Sequence, residues 1–305
     1  MKEKIIYNKQ APERLDKYIH SLHPTFSRRF FQNAIKNGEV LVNNDEVSPS
    51  YRLKKNDKIK MDIKKTSKVD FEVKAEKEVG FEVIFEHPDF LIINKPAGIS
   101  VHPSENEASN TLVNGLLAKY PEIENIGENE LRPGIVHRLD KETSGILIVA
   151  RNQKSFEYFK KLFQDRNIQK TYLAWVWGNL KNKVGKISDY TGKSRQNPTK
   201  QAVSANPEKL INPKQATTYY RVIREEEKGT LIELKPKTGR KHQIRLHLHS
   251  IGHPILGDKK YSNKLIRKFN EQFDRHLLHA QKIEFSYLDK KHYEFEASLP
   301  KEMDI

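Results

Sequence analysis

His137, Arg138 and Asp140 crowd into four positions between Gly134 and Gly145. Directly after them Ile146 to Ala150 is an apolar run of β-branched and small residues, the pattern of a buried strand. A carboxylate entering such a strand, with an arginine two positions upstream, is held at a fixed height over a sheet. That placement suits a reacting group. It also suits a polar loop in which Asp140 only caps or turns the chain. An aspartate carboxylate is charged at neutral pH and answers an electron-poor centre. Buried, it needs a cationic partner.

Three further stretches carry candidates. Gln169 to Gly178 alternates as a strand, with Tyr172, Ala174 and Val176 on one face and Leu173, Trp175 and Trp177 on the other. A tyrosine beside a small alanine leaves room for something flat to lie on its ring, although a strand tyrosine is also ordinary half-buried core. In Lys237 to His249, His242, Arg245 and His249 are spaced to share one helical face. A metal site from His242, His247 and His249 competes with that reading, but no cysteine or paired carboxylate stands nearby to complete it. Lys95, in Asn94-Lys-Pro-Ala-Gly98, sits on a Pro/Gly turn with no sign of a lowered pKa, so it is expected to support a site rather than react.

The elements that must position these groups fall into two modules. Residues 12–64 read as a small α/β module. Leu15, Tyr18, Ile19 and Leu22 have the spacing of an amphipathic helix. Ser27 offers an N-cap to a second helix with Phe30, Phe31, Ala34 and Ile35 on one side and Gly38 as its stop. Val40 to Asn44 runs into a turn, and Asp57 to Ile63 alternates as a strand. Residues 65–79 are rich in Lys and Glu and read as a solvated linker, with a short strand near Phe71 to Val73. Residues 80–300 form the larger module. In it Phe81–Phe85 and Phe90–Ile93 are strands about a His-Pro-Asp turn, and Leu112–Leu117 is a short helix. Phe156, Phe159, Leu162 and Phe163 are a core-packing helical stripe. Residues 216–224 and 230–236 are paired strands, and the polar stretch 183–214 is a mobile insertion with at most a short hairpin. Strands do not alternate regularly with helices. The expected class is therefore α+β: a mixed, mainly antiparallel sheet with flanking helices and a central cleft, plus the small N-terminal domain.

Composition narrows the partners. Lys+Arg 55 against Asp+Glu 40 gives a net charge of +15, which points to a polyanion such as nucleic acid or to a lysine-rich solvated surface. There is no cysteine, so thiolate nucleophiles, disulfides and zinc–thiolate sites are excluded. No apolar run has signal-peptide character or approaches the ~20 residues of a membrane span, so a soluble, cytoplasmic protein is expected. No Gly-rich phosphate loop appears, and no nucleotide cofactor is expected.

The wording of these stretches resembles one family. His137-Arg-Leu-Asp140 followed by Thr143-Ser-Gly145 closely resembles the signature of the RluA/RluD-type pseudouridine synthases, which isomerise uridine in RNA. The resemblance extends to Asn94-Lys-Pro-Ala-Gly98, Lys170-Thr-Tyr-Leu-Ala174, Thr238-Gly-Arg-Lys-His-Gln-Ile-Arg245, Gly252 to Asp258 with Tyr261, and Leu278-His-Ala280, in the same order. It fades over 183–214. Arg14-Leu-Asp16, Ser27-Arg28 and the run from Gly38 to Asn43 are similar to the αL-type RNA-binding domain, also found in a ribosomal small-subunit protein. There Arg14, Arg28, Arg29 and Lys36 would dock on the RNA backbone, the last three from the solvent side of the second helix.

The resemblance implies Asp140 as the catalytic carboxylate, paired with Arg245 through the planar guanidinium fork. It implies Tyr172 as the ring on which the target uracil stacks, with a lesser role in relaying a proton. Arg138 would hold the flipped nucleotide, and His137, Lys95 and Arg240 would contact the substrate. It implies no metal and no cofactor, since substrate and product are isomers. Large-subunit ribosomal RNA is the expected partner, with transfer RNA as the alternative, and a monomer the expected state. Two other functions fit the same residues: a glycosylase releasing uracil, and a non-catalytic RNA-binding protein.

Overall fold

The computed structural model describes residues 1–23, 26, 28–63, 73–104, 107–227, 229–262 and 264–304; of Arg29, Lys264 and Leu265 it describes the backbone alone. The Ser27 N-cap and most of the strand expected near Phe71 lie outside the described residues. The chain divides into two compact units, 1–72 and 73–305.

In the first unit, β1 (Lys2–Ile6), β6 (Lys58–Asp62), β3 (Val40–Val42) and β4 (Asp45–Glu46) form an antiparallel sheet in that order. A two-stranded ladder pairs β2 (Glu13–Arg14) with β5 (Arg52–Leu53). Helices α1 (Leu15–Leu22) and α2 (Arg28–Lys36) complete it. Leu15, Ile19, Phe31, Ala34 and Ile35 from the helices meet Val40, Ile59 and Met61 from the sheet in one core. Asn43 and Asn44, both at positive φ, make the tight β3–β4 turn, a conformation asparagine tolerates. The unit's first strand, β1, begins ten residues before the expected start of the module at residue 12. β1 reads Lys-Glu-Lys-Ile-Ile, and its charges suit an edge strand rather than a solvated tail.

The second unit is built on one large sheet, ordered β12 (Gln201–Ser204), β11 (Val184–Ser194), β13 (Leu210–Glu226), β14 (Gly229–Pro236), β10 (Gln169–Trp177), β15 (Leu278–Ser286), β9 (Ser144–Ala150), β8 (Phe90–Lys95), β7 (Glu82–Glu86). β16 (His292–Glu296) also pairs with β15. Every described ladder is antiparallel except β9 with β15. β9 is buried along its whole length because both faces are covered. Helix α3 (Leu112–Lys119) packs on one face with Leu91, Ile93, Leu147 and Val149. On the other, Phe159 of α4 (Gln153–Asp165) packs with Phe90, Ile146, Ile148 and Phe285. Asn152 caps α4 by accepting the Ser155 amide. Helices α5 (Gln243–Ser250) and α6 (Lys264–Asn270) follow β14.

Two expectations are corrected here. Residues 73–79 are not a free linker: Val73 and Val79 pack on the core, the Glu76 amide donates to the Asn114 carbonyl, and the Asn114 side chain donates to the Lys74 carbonyl. Residues 183–214 are not a loose insertion. They supply β11, β12 and the start of β13, an arm held by continuous backbone ladders.

Candidate active site

Over the centre of the sheet lies a cavity of about 1090 Å³ bordered by the loop before β9, by β10, by the end of α4 and by the residues leading into α5. One row of the sheet sets its floor. Gly145 pairs with Ala280, Ala280 with Tyr172, and Tyr172 with Leu234. Gly145 is required in that row. Its φ is +113°, and a Cβ there would stand 2.3 Å from the Ala280 carbonyl oxygen. β9 and β15 therefore run close together, and the loop carrying Asp140 is brought beside Tyr172.

That loop is pinned on both sides of Asp140. Lys95, fully buried, donates through Nζ to the carbonyls of Pro96, Ile99 and Lys141 at 2.7, 2.9 and 3.0 Å. Arg275 donates to the Glu142 carbonyl at 3.0 Å, and Thr143 Oγ1 lies 2.8 Å from His276 Nε2. On the upstream side, the Ile148 amide donates to His137 Nε2 at 2.9 Å, and the His137 ring packs on Phe163 at 4.4 Å. Burial pushes the His137 imidazole down to about 3, so it stays neutral and serves as the acceptor.

These contacts revise two expectations. Lys95 is spent on the loop backbone, and burial pushes its ammonium down to about 7, a shift that a Pro/Gly turn in the sequence could not reveal. His137 borders the cavity, but its Nε2 is committed to β9. Phe163 packs on the core as expected, and its ring also lies against His137 on the cavity wall.

The start of α5 is wired as firmly. Gln243 donates to the Thr217 carbonyl and Thr218 Oγ1, and accepts from Thr238 Oγ1 and the Arg240 amide. His242 stands before the helix in the left-handed region, φ 56°, not on a helical face with Arg245. Its Nδ1 lies 2.6 Å from the Tyr261 hydroxyl and its Nε2 3.8 Å from Asp140 Oδ1. His247 Nδ1 meets Thr218 Oγ1 at 2.9 Å. Among the described residues the ring nitrogens of His242, His247 and His249 do not gather within ligand distance of one another, so the three do not form the metal triad weighed above.

Arg245 is the centre of the charge arrangement. Its Nε and Nη2 grip both oxygens of buried Asp258, at 2.7 and 3.0 Å. Its Nη1 reaches Asp140 Oδ2 at 3.0 Å. The fork expected on Asp140 is thus on Asp258, and Asp140 receives one charge-assisted bond. Burial opposes the guanidinium charge, but Asp258 and Asp140 offset it and hold the group above its ordinary range. Asp258 also accepts the amides of Lys260 and Tyr261. Burial works against its charge, yet Arg245 holds its carboxyl below the usual carboxylate range. The Tyr261 ring lies under the guanidinium at 5.0 Å. Asp140 borders the cavity, and its Oδ1 is left without such a grip. Tyr172 is half-buried at the wall. Burial, and then the Asp140 charge, push its hydroxyl above the ordinary tyrosine range, so it remains protonated.

Arg138 is exposed at the cavity edge, its Nη1 3.0 Å from His102 Nε2. His102 Nδ1 lies 2.9 Å from the Pro103 carbonyl, which fixes the tautomer with Nε2 as acceptor, and burial pushes the ring down to about 4. Arg240 lies on the border as expected. Sequence reasoning did not single out Asp258, His102 or Lys170. Lys170, two residues before Tyr172, borders the cavity near Phe163, and burial lowers its pKa.

In the first unit, Arg14 and Arg28 do not simply face solvent. Arg14 donates to Asp16 at 3.0 and 2.9 Å, Arg28 at 3.1 and 2.7 Å, and Gln32 at 2.6 Å. Asp16 is fully buried. Burial raises its cost, but Arg14, Gln32 and Arg28 hold its carboxyl far below the usual range. The arginines tie α1 to α2 and keep just over a third of each side chain exposed, 38% and 37%. Lys36 is exposed in the last turn of α2, and the Arg29 side chain lies outside the described residues.

A cavity of about 1090 Å³ bordered by a carboxylate that one arginine steadies and by a protonated tyrosine fits an enzyme acting on a base in nucleic acid. Comparison with known proteins agrees. Residues 89–250 match the sequence profile described as RNA pseudouridylate synthase, and residues 13–59 match that of the S4 domain. An RNA pseudouridine synthase of Bacillus subtilis (strain 168) is 34% identical over 96% of this chain and 93% of its own length. The ribosomal large subunit pseudouridine synthase D of Zymomonas mobilis is also 34% identical, over 96% of this chain and 92% of its own. A solved structure, human RNA pseudouridylate synthase domain containing 1, superposes with a TM-score of 0.62 at 25% identity, covering 75% of this chain and 89% of that one. The chain belongs to the RNA pseudouridylate synthase family and is an RNA pseudouridine synthase, an isomerase.

Proposed function

We propose that this chain isomerises uridines of large-subunit ribosomal RNA, in the cytoplasm, as a monomer, with Asp140 as the catalytic carboxylate. The reaction breaks the bond from ribose C1′ to uracil N1, turns the base, and joins C1′ to C5; the proton leaving C5 balances the one gained at N1. The observation that carries this reading is the Asp140–Arg245 contact of 3.0 Å at the border of a cavity that Tyr172 also lines. Arg245 fixes one oxygen of the carboxylate through its Nη1. The other oxygen is free to meet the electron-poor centre that develops when the glycosidic bond weakens.

The target base enters by leaving its stack, at a cost of a few kcal/mol. Stacking on Tyr172 returns about 1–3 kcal/mol, and Arg138, aimed by His102, occupies the vacated place or holds the flipped phosphate. The choice of ribosomal RNA rests on the S4 module and on relatives named as large-subunit synthases.

Two measurements test the reading. Asp140→Asn is isosteric and should reduce pseudouridine formation by at least about 10³-fold while RNA affinity stays within a few-fold; turnover near the unsubstituted level would remove Asp140 from its role. Mapping pseudouridines in cellular RNA with and without the chain should show sites lost from large-subunit ribosomal RNA. Losses confined to transfer RNA would move the target, and release of free uracil in vitro would replace isomerisation with glycosylase chemistry.

A further inference from the structure

The arm formed by β11, β12 and the start of β13 plays no part in the site described so far. Residues 183–214 carry seven Lys or Arg against two acidic residues. Its ladder is broken at one place. Thr191 pairs with Lys214 and Lys193 with Ile211, so Gly192 alone stands opposite Asn212 and Pro213. Asn212 is in the left-handed region, φ 52°, and Pro213 has no N–H to give. A Cβ on Gly192 would sit 2.8 Å from the Ile211 carbonyl oxygen, so the break is built around the missing side chain.

The break opens a notch of about 230 Å³ bordered by Lys193, Gln201 and Lys214 from the arm and by Arg240 and Lys241 from the loop before α5. Arg240 and Lys241 also border the Asp140 cavity, so the two concavities share a rim. Among the described residues none of these four cations is ion-paired. Lys183, just before β11, and Arg221 of β13 are paired with Glu225 and Glu233. Four unneutralised cations about one notch favour an anion between them. The notch is smaller than the roughly 300–1,000 Å³ that small-molecule pockets span, which fits a phosphate with its water and not a nucleoside.

Resting on the reading above, we propose that this notch holds a backbone phosphate of the same RNA strand whose uridine enters the Asp140 cavity. Arg240 and Lys241 bridge the two places, and the arm sets the direction in which the strand leaves the site. The contact is to phosphate, so it adds affinity and register without choosing sequence.

The test uses the full chain carrying Asp140→Asn, to prevent turnover, and a ten-residue oligouridylate as probe. Affinity is measured from low to moderate salt. Each phosphate neutralised on a single strand contributes about 0.7 to the slope of log affinity against log salt, so Lys193→Gln with Lys214→Gln, which removes the arm's hold on the one phosphate in the notch, should lower that slope by about 0.7. Lys183→Gln, a cation already paired with Glu225, should leave it unchanged. Urea midpoints equal to that of the parent confirm that both proteins are folded. An unchanged slope in the double substitution, or an equal fall in the Lys183 control, overturns the proposal. These outcomes are separate from failure of the isomerase reading, which shows as absence of pseudouridine from the unsubstituted chain.

Discussion

At the scale of single residues, Arg245 faces two carboxylates with different duties. Its fork holds Asp258, which has no exposure to substrate, and only Nη1 is left for Asp140. Asp258 therefore orients the arginine, and the arginine steadies Asp140. Asp258→Asn takes the charge from a buried pair and should cost about 3–5 kcal/mol, read as a lower urea midpoint. Arg245→Lys should abolish turnover even where the protein folds, because one ammonium cannot span both carboxylates; substantial activity in that variant would show that bridging is unnecessary. That Asp140, Tyr172 and Arg245 come to one cavity was legible in the sequence because each stands in a short stretch whose wording resembles the family. Their supports were less so. Asp258 stands 13 positions from Arg245 and His102 36 positions before Arg138, and nothing in linear spacing announces either pair. His137 and Lys95 were expected at the substrate, yet His137 Nε2 accepts the Ile148 amide of β9 and Lys95 donates to the Lys141 carbonyl of the loop.

At the scale of elements, the site depends on how closely β9 and β15 approach. The row from Gly145 through Ala280 to Tyr172 sets where the Asp140 loop begins. Gly145→Ala forces a Cβ into the Ala280 carbonyl at a positive φ, so the strands must part or the loop must shift. The expected cost is about 1–3 kcal/mol from the backbone alone, with a larger fractional loss in turnover than in stability. Circular dichroism with a urea titration gives the first, and pseudouridine formation per folded molecule the second; an alanine variant with full activity would break the link between this row and the site. The buried strands and α4 were readable because burial on a period of 2 or 3.6 leaves an apolar pattern. The arm at 183–214 was not, because both faces of β11 and β12 are largely polar and the ladder is held by backbone bonds that side-chain types do not report. β1 was missed for the same reason, its charges being those of a sheet edge. Residues 73–79 look solvated in composition, yet two valines and a few backbone bonds fix them to α3.

At the scale of the whole molecule, a chain with a net charge of +15 has buried a set of histidines in its second unit. His102, His247, His276 and His279 are each 6% exposed or less. Burial first, with smaller charge effects, pushes them down to about 4, 4, 3 and 4. These histidines stay neutral in the folded state down to those values, whereas in the unfolded chain they take up protons near pH 6.5. Between about pH 6.5 and 4 the unfolded state therefore binds more protons, and stability must fall as pH falls through that window. Each additional proton contributes about 1.4 kcal/mol per pH unit, so uptake of only two gives roughly 3 kcal/mol per unit. Asp16 and Asp258, held below the usual carboxylate range, add their losses only at lower pH. Protonation also raises an already positive charge, and that self-repulsion acts in the same direction. The two contributions separate in salt. At about 1 M the Debye length is near 3 Å, which screens repulsion across the surface but not the desolvation of a buried imidazole. The urea midpoint of the second unit should thus drop steeply from pH 7 to pH 5 at both low and high salt. A midpoint flat over that range would mean the imidazoles are not held neutral by burial, and a drop that vanishes in salt would assign it to surface charge instead.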